Sequence, residues 1–200
     1  MGTPTAIASS ERSTPDWGAL FGVAQAQSGY FTTGQAAGAG YSPQLLQKYL
    51  GNGKVARVMR GIYRLVHFPA SEQEELVWLW LWAEQAGVFS HETALALYDL
   101  SDILPSVVHM TLPANWLHRR LRVPQGLALH FADLPETDRA QFSAVPITSP
   151  RRTLRDCIEA NISPDLVRQG LVQARRRGVI SANDAAELHA ALDRMSKGTA

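Results

Sequence analysis

Residues 31–66, FTTGQAAGAGYSPQLLQKYLGNGKVARVMRGIYRLV, carry the decisive pattern of this chain. Thr32 and Gln35 stand at the spacing of a capping box, in which two residues three apart satisfy each other's free donors at a helix start. The small residues Ala36 and Ala37 follow. Gly40 then sits where a short turn between crossed helices needs a residue without a side chain. Ser42-Pro43 opens the next helix with a hydroxyl at the cap and proline at the first helical position, where its missing N–H costs nothing. Gly51-Asn52-Gly53 stops that helix. From Lys54 to Val66 the pattern fits a hairpin turning near Arg60-Gly61, glycine supplying the positive φ. Helix, turn, helix and hairpin in this order predict a helix-turn-helix followed by a two-stranded wing.

The faces of the second helix indicate its use. Leu45, Leu46, Tyr49 and Leu50 have the three-to-four-residue spacing of a buried stripe, which turns Gln44, Gln47 and Lys48 outward together. An ordinary solvated face mixes Glu with Lys; this one has amides and a cation but no acid. Glutamine can bond adenine through two hydrogen bonds, and lysine serves phosphate or guanine. The wing adds Lys54, Arg57, Arg60 and Arg64, and the helix-start hydroxyls Thr33 and Ser42 join the candidate DNA contacts. A helical hairpin with an exposed basic rim is the plainer alternative. The order of the elements favours DNA binding.

Charge is unevenly placed. The 200-residue chain is 46% hydrophobic, as in ordinary globular proteins, and its net charge is only +1. Residues 1–66 hold Arg12, Lys48, Lys54, Arg57, Arg60 and Arg64 against Glu11 and Asp16. Residues 67–102 hold Glu72, Glu74, Glu75, Glu84, Glu92, Asp99 and Asp102 and no Lys or Arg. Such asymmetry is the footprint of a basic module joined to something else. Cys157 is alone, so no internal disulfide forms and a reducing cytoplasm is the expected compartment. The start of the chain is small and polar, unlike a signal or transit peptide, and residues 1–15 are expected to form a disordered tail. The longest apolar run, residues 76–83, is far short of the ~20 residues that span a bilayer.

Outside the decisive stretch, Asp16 caps a predicted helix over residues 17–28 with Leu20, Phe21 and Ala24 inward. Pro69 marks a boundary after the wing. Ser71 and Glu74 then form a second capping box, for a helix predicted to run to about Ala86. Its tryptophans Trp78, Trp80 and Trp82 make it apolar nearly all round, which points to a helix covered by other elements, packing between two domains being the expectation. Ser90 opens another helix ending near Leu100. Residues 107–112, 127–131 and 142–148 alternate as three strands, and helices start near Ser149-Pro150, Ser163-Pro164 and Ser181. The predicted fold class is α+β. A winged helix-turn-helix over residues 16–69 is followed by a mixed α/β domain over residues 70–200.

Catalytic signatures fail. His91-Glu92 begins a zinc-protease motif, but Leu95 stands where the second histidine belongs. The six histidines are scattered without metal-ligand spacing, so no metal is expected. No glycine-rich phosphate loop is present, and Ser90 and Ser149 lack the context of a nucleophile elbow. Asp133, Glu136 and Asp138 read as a solvated turn. A non-enzyme without cofactor is expected. Three sets of arginines stay open between a nucleic-acid surface and a balanced solvated face: Arg119, Arg120 and Arg122 in a loop, Arg151, Arg152 and Arg155 on one of the last helices, and residues 175–177 on another.

Four blocks occur in order: Phe31-Thr32-Thr33-Gly34-Gln35-Ala36-Ala37, Arg57-Val58-Met59-Arg60-Gly61-Ile62-Tyr63-Arg64, Phe89-Ser90-His91-Glu92-Thr93-Ala94-Leu95, and Ile147-Thr148-Ser149-Pro150-Arg151-Arg152-Thr153-Leu154-Arg155-Asp156. In that order they resemble the AbiEi-type antitoxins of bacterial type IV toxin–antitoxin systems, over roughly residues 17–195. The resemblance implies a transcriptional repressor whose winged helix binds inverted repeats of double-stranded operator DNA at its own promoter. It implies autoregulation, and a C-terminal domain that counteracts a nucleotidyltransferase-like toxin encoded next door. Whether the toxin is bound directly, and whether the protein dimerises on DNA, stay open. The alternatives are a stand-alone winged-helix regulator whose second domain senses a ligand or dimerises, and an enzyme using the arginine-rich face on RNA, which no nucleophile or acid supports.

Overall fold

The computed structural model describes residues 14–198, so most of the tail expected over residues 1–15 lies outside the described residues. The fold is mixed α and β. The chain divides into two units, Met1–Trp82 and Ala83–Ala200.

In the first unit α1 (Trp17–Ala26) starts at Asp16, whose carboxylate accepts from the Ala19 N–H at 3.0 Å. A short strand β1 (Tyr30–Thr32) leads into α2 (Thr33–Gly38). The capping box is present: Gln35 N–H donates to Thr32 Oγ1 at 3.1 Å, and Thr32 N–H donates to Gln35 Oε1 at 2.8 Å. Gly40 takes a φ of +82°, and α3 (Pro43–Gly51) begins at Ser42, whose Oγ accepts from Leu45 N–H at 3.2 Å. Strands β2 (Val55–Met59) and β3 (Ile62–Leu65) form the hairpin, and β1 adds to its other edge, giving an antiparallel sheet in the order β1-β3-β2. A three-residue strand is too short to show alternation, so β1 is illegible in sequence. Leu20, Ala24, Phe31, Ala36, Leu46, Val55 and Leu65 form the core beneath the helices.

The unit closes with α4 (Glu74–Trp82), which packs on β1 and β3. Two expectations change here. The helix ends at Trp82 instead of near Ala86, because Glu84 and Gln85 take left-handed φ values of +54° and +63°. The boundary expected at residue 69 falls after residue 82, because α4 is tied back to the sheet: Glu74 accepts from Tyr30 Oη at 3.1 Å and from Arg64 at 2.6 Å. Burial in α4 falls on Leu76, Val77, Leu79 and Leu81, and the three tryptophans are only half-buried.

In the second unit β4 (Val88–Phe89) and α5 (His91–Leu97) precede β5 (Val108–Leu112) and β6 (Leu127–Phe131). The strand expected over residues 142–148 is a hairpin, β7 (Arg139–Phe142) and β8 (Val145–Thr148), because Ser143 turns the chain with a φ of +51°. The sheet order is β6-β5-β4-β8-β7, with parallel pairs β5/β6 and β4/β8. Three helices follow where the Ser starts predict them: α6 (Pro150–Glu159), α7 (Pro164–Arg176) and α8 (Ala182–Gly198). They pack with α5 through Leu95, Leu154, Cys157, Leu171 and Leu192. Gly170 allows that approach, since a Cβ there would lie 3.0 Å from Leu154 and 3.2 Å from Leu95.

Candidate nucleic-acid interface

The chain carries no Asp or Glu from residue 17 to residue 71. The surface made by α3 and the hairpin is therefore positive by default, with nothing on it to repel phosphate. On α3, Leu46 is buried and Leu45, Tyr49 and Leu50 are half-buried, and Gln44, Gln47 and Lys48 are exposed. The outward face has the predicted composition. Tyr49 is held by stacking on Trp17 at 6.2 Å and by an edge contact with Tyr41 at 5.6 Å, so the helix sits on an aromatic bed.

The hairpin places its cations unequally. Arg57 and Arg60 are exposed, Arg60 at the turn and Arg57 before an irregularity in the β2–β3 register. Gly61 has the expected positive φ, +81°. Lys54 is exposed but leans over the Tyr49 ring, its Nζ 5.2 Å from the centroid. Arg64 leaves the set. It is an internal brace, bonded to Glu74 at 2.6 Å and to the Phe68 carbonyl at 3.0 Å, with its side chain 17% exposed. Burial disfavours charge on Glu74, but hydrogen bonds from Arg64, the Ser71 N–H and Tyr30 outweigh it and hold the carboxyl below its usual value. Ser42 and Thr33 spend their hydroxyls on the fold, Ser42 on its helix cap and Thr33 on the Gly61 carbonyl.

The second unit's arginines also separate. Arg119 stacks on Trp116, with Cζ 3.8 Å from the ring centroid, and lies 3.5 Å from Glu84. Arg120 and Arg122 are exposed. On α6, Arg152 is largely enclosed between Asp156 at 2.6 Å and Asp138 at 3.0 Å, and Arg155 also reaches Asp138 at 3.1 Å. Arg151 pairs with Asp184 and Glu187, each at 2.7 Å. The α6 arginines are thus neutralised at close range. Asp138 is part of this network and not only of a solvated turn.

One cluster was invisible in sequence. Histidines that look scattered along the chain come together as His91, His109 and His130, because β5 and β6 pair in parallel with Thr111 opposite His130 and α5 begins beside them. The rings of His91 and His130 stack at 3.6 Å with 15° between planes. His109 Nδ1 lies 3.0 Å from His130 Nε2. That contact is a hydrogen bond only if one nitrogen carries a proton and the other a lone pair, so the accepting ring must be neutral. Burial, then the neighbouring histidines, then Arg152 push the His91 pKa down to about 3; burial also lowers His109, against the pull of Glu92, and His130. Among the described residues no group of three or more His, Cys, Asp or Glu side chains has an arrangement able to hold a metal ion.

Residues 19–66 match the family model described as a transcriptional regulator, AbiEi antitoxin, which bears out the resemblance over that segment. No curated protein sequence matches the chain. The fold is similar to the crystal structure of the RV2827C protein from Mycobacterium tuberculosis, with a TM-score of 0.50 and 16% identity over 84% of this chain and 69% of that one. No helix among the described residues is long and apolar enough to cross a membrane.

Proposed function

We propose that residues 16–69 act as a winged helix-turn-helix that reads operator DNA, α3 lying in the major groove and the β2–β3 hairpin gripping the backbone beside it. The observation that carries this reading is the outward trio Gln44, Gln47 and Lys48, on a segment free of acids, beside the exposed Arg57 and Arg60. Glutamines supply base contacts and the cations supply phosphate contacts. The match of residues 19–66 to AbiEi antitoxin regulators supports repression of the protein's own promoter at inverted repeats. In this reading the protein works in the cytoplasm, without cofactor or catalytic chemistry, and its second domain counteracts a nucleotidyltransferase-like toxin.

Replacing Gln44 or Gln47 with Ala should weaken operator binding by about 1–3 kcal/mol and leave binding to random DNA nearly unchanged. Fluorescence anisotropy with both DNAs tests this. Equal losses on both would remove base reading, and no loss on either would remove α3 from the interface.

A second reading, a stand-alone regulator with a sensing or dimerising second domain, draws support from the neutralised state of Arg151 and Arg152. Growth on co-expression with the downstream gene, driven from an unrelated promoter, separates the two. Protection favours the antitoxin, and its absence favours the stand-alone regulator.

A further inference from the structure

The first unit contains a cavity of about 600 Å3 between α1, the end of α3 and the chain leaving β3. That volume falls within the range of small-molecule sites, ~300–1,000 Å3. Its walls are aromatic: Trp17 and Phe21 from α1, Tyr49 from α3, and Phe68. Trp17 stacks on Tyr49 at 6.2 Å, and Phe21 meets Phe68 at 6.4 Å. Trp17 and Phe21 nevertheless remain 45% and 40% exposed, unusual for rings of this size with so much apolar surface nearby. Lys54 and His67 supply the basic groups of the lining, and no carboxylate lines the cavity among the described residues.

We propose that this cavity is a binding site for a flat aromatic carboxylate. The rings offer faces and edges on which an aromatic body stacks, and the Lys54 ammonium, 5.2 Å from the Tyr49 centroid at the same wall, offers the counter-charge for its carboxylate. A neutral ligand would leave that cation unused, and a cationic one would meet Lys54 with no acid to receive it. The walls are built in advance. Phe68 packs over Gly29, where a Cβ would lie 2.7 Å from its ring atoms, and Arg64 holds the Phe68 and Pro69 carbonyls at 3.0 and 3.4 Å. A preformed site loses less entropy on binding than one that must assemble. An anion at Lys54 also neutralises one cation of the DNA surface, a consequence that rests on the DNA-binding reading; ligand binding measured without DNA tests the site by itself.

The test is a titration of the full chain, labelled with nitrogen-15, with 2-naphthoate and with its neutral counterpart 2-naphthylmethanol. The Trp17 indole N–H is identified by its loss in Trp17→Phe. Saturable movement of that signal is expected, with the acid binding about tenfold more tightly than the alcohol, the size of one charge-assisted hydrogen bond. Lys54→Met should abolish the preference for the acid and leave binding of the alcohol unchanged, and Phe21→Ala should weaken both. No saturable shift at Trp17 overturns the proposal, whether the cavity is then filled by a second copy, seen as concentration-dependent sedimentation, or by the chain's own N-terminal segment. Equal affinity for acid and alcohol, or an undiminished preference in Lys54→Met, overturns it as well.

Discussion

The backbone N–H and the hydroxyl of Thr33 both donate to the carbonyl oxygen of Gly61, at 2.9 and 3.3 Å. The first residue of α2 thus holds the turn of the β2–β3 hairpin. In the DNA-binding reading this ties the wing to the helix that precedes α3, so the position of the hairpin turn is set by a helix start as well as by the hairpin itself.

Gly61→Val is expected to lower the stability of the first unit by about 1–2 kcal/mol, the cost of forcing an L-residue into the left-handed region. A Cβ at this position would be 3.7 Å from Thr33 Oγ1, an ordinary contact, so the loss is conformational and not a clash. Gly61→Asn should lose less, since asparagine tolerates that region. Urea unfolding of the two variants checks the order, and a valine variant as stable as the asparagine one would contradict it.

Arg60 and Arg64 should behave as opposites despite lying on one hairpin. Arg60→Ala should leave stability within about 0.5 kcal/mol and make the salt dependence of DNA binding shallower by about one unit, as expected for one lost phosphate contact. Arg64→Met should cost about 1.5–3 kcal/mol of stability, the range for hydrogen bonds to a charged partner, with the salt slope intact. A salt slope that changes with Arg64 and not with Arg60 would reverse these assignments.

On α6, Arg152→Met should be among the most damaging single changes in the second unit, about 3–5 kcal/mol, because it strands the carboxylate of Asp156, which is 3% exposed. One oxygen of Asp156 is already buried without a partner. Arg151→Met, at an exposed pair, should change stability little. Loss of toxin protection on reversing Arg152 therefore reports unfolding unless the variant's melting is measured beside it. A stable Arg152→Met protein would show that Asp156 finds another partner.

The histidine stack makes the second unit acid-sensitive. His91, His109 and His130 all have pKa values below the ordinary histidine value in the folded chain, His91 at about 3. The unfolded chain therefore binds more protons as pH falls through about 6.5, and acid favours unfolding. Stability should be full above neutrality and decline from about pH 6.5 toward the folded values, each histidine contributing a slope of up to ~1.4 kcal/mol per pH unit. Urea midpoints at pH 7.5 and pH 5 measure it, and His130→Gln should flatten the dependence. Identical midpoints at the two pH values would refute the effect.

Local chemistry was legible without the fold. The cap at Thr32 and Gln35, the Ser-Pro helix starts at residues 42, 149 and 163, and the turn at Gly61 each depend on residues within a few positions of one another, so the order of residues suffices. The outward face of α3 was legible for the same reason, being a matter of helical period. What only the tertiary structure decided are relationships between distant residues. Arg57, Arg60 and Arg64 are three arginines of one basic hairpin on paper, yet Arg64 is claimed by Glu74, ten positions on, once α4 folds back on the sheet. Arg152 looked like surface charge until Asp138 closed over it from beyond the β7–β8 hairpin. His91, His109 and His130 meet only through the parallel register of β5 and β6, and the aromatic cavity exists only because Phe68 returns over Gly29 to face α1. A charge or an aromatic ring carries no mark of its partner in the sequence; the chain path selects the partner, and the partner decides whether the group serves the surface or the core.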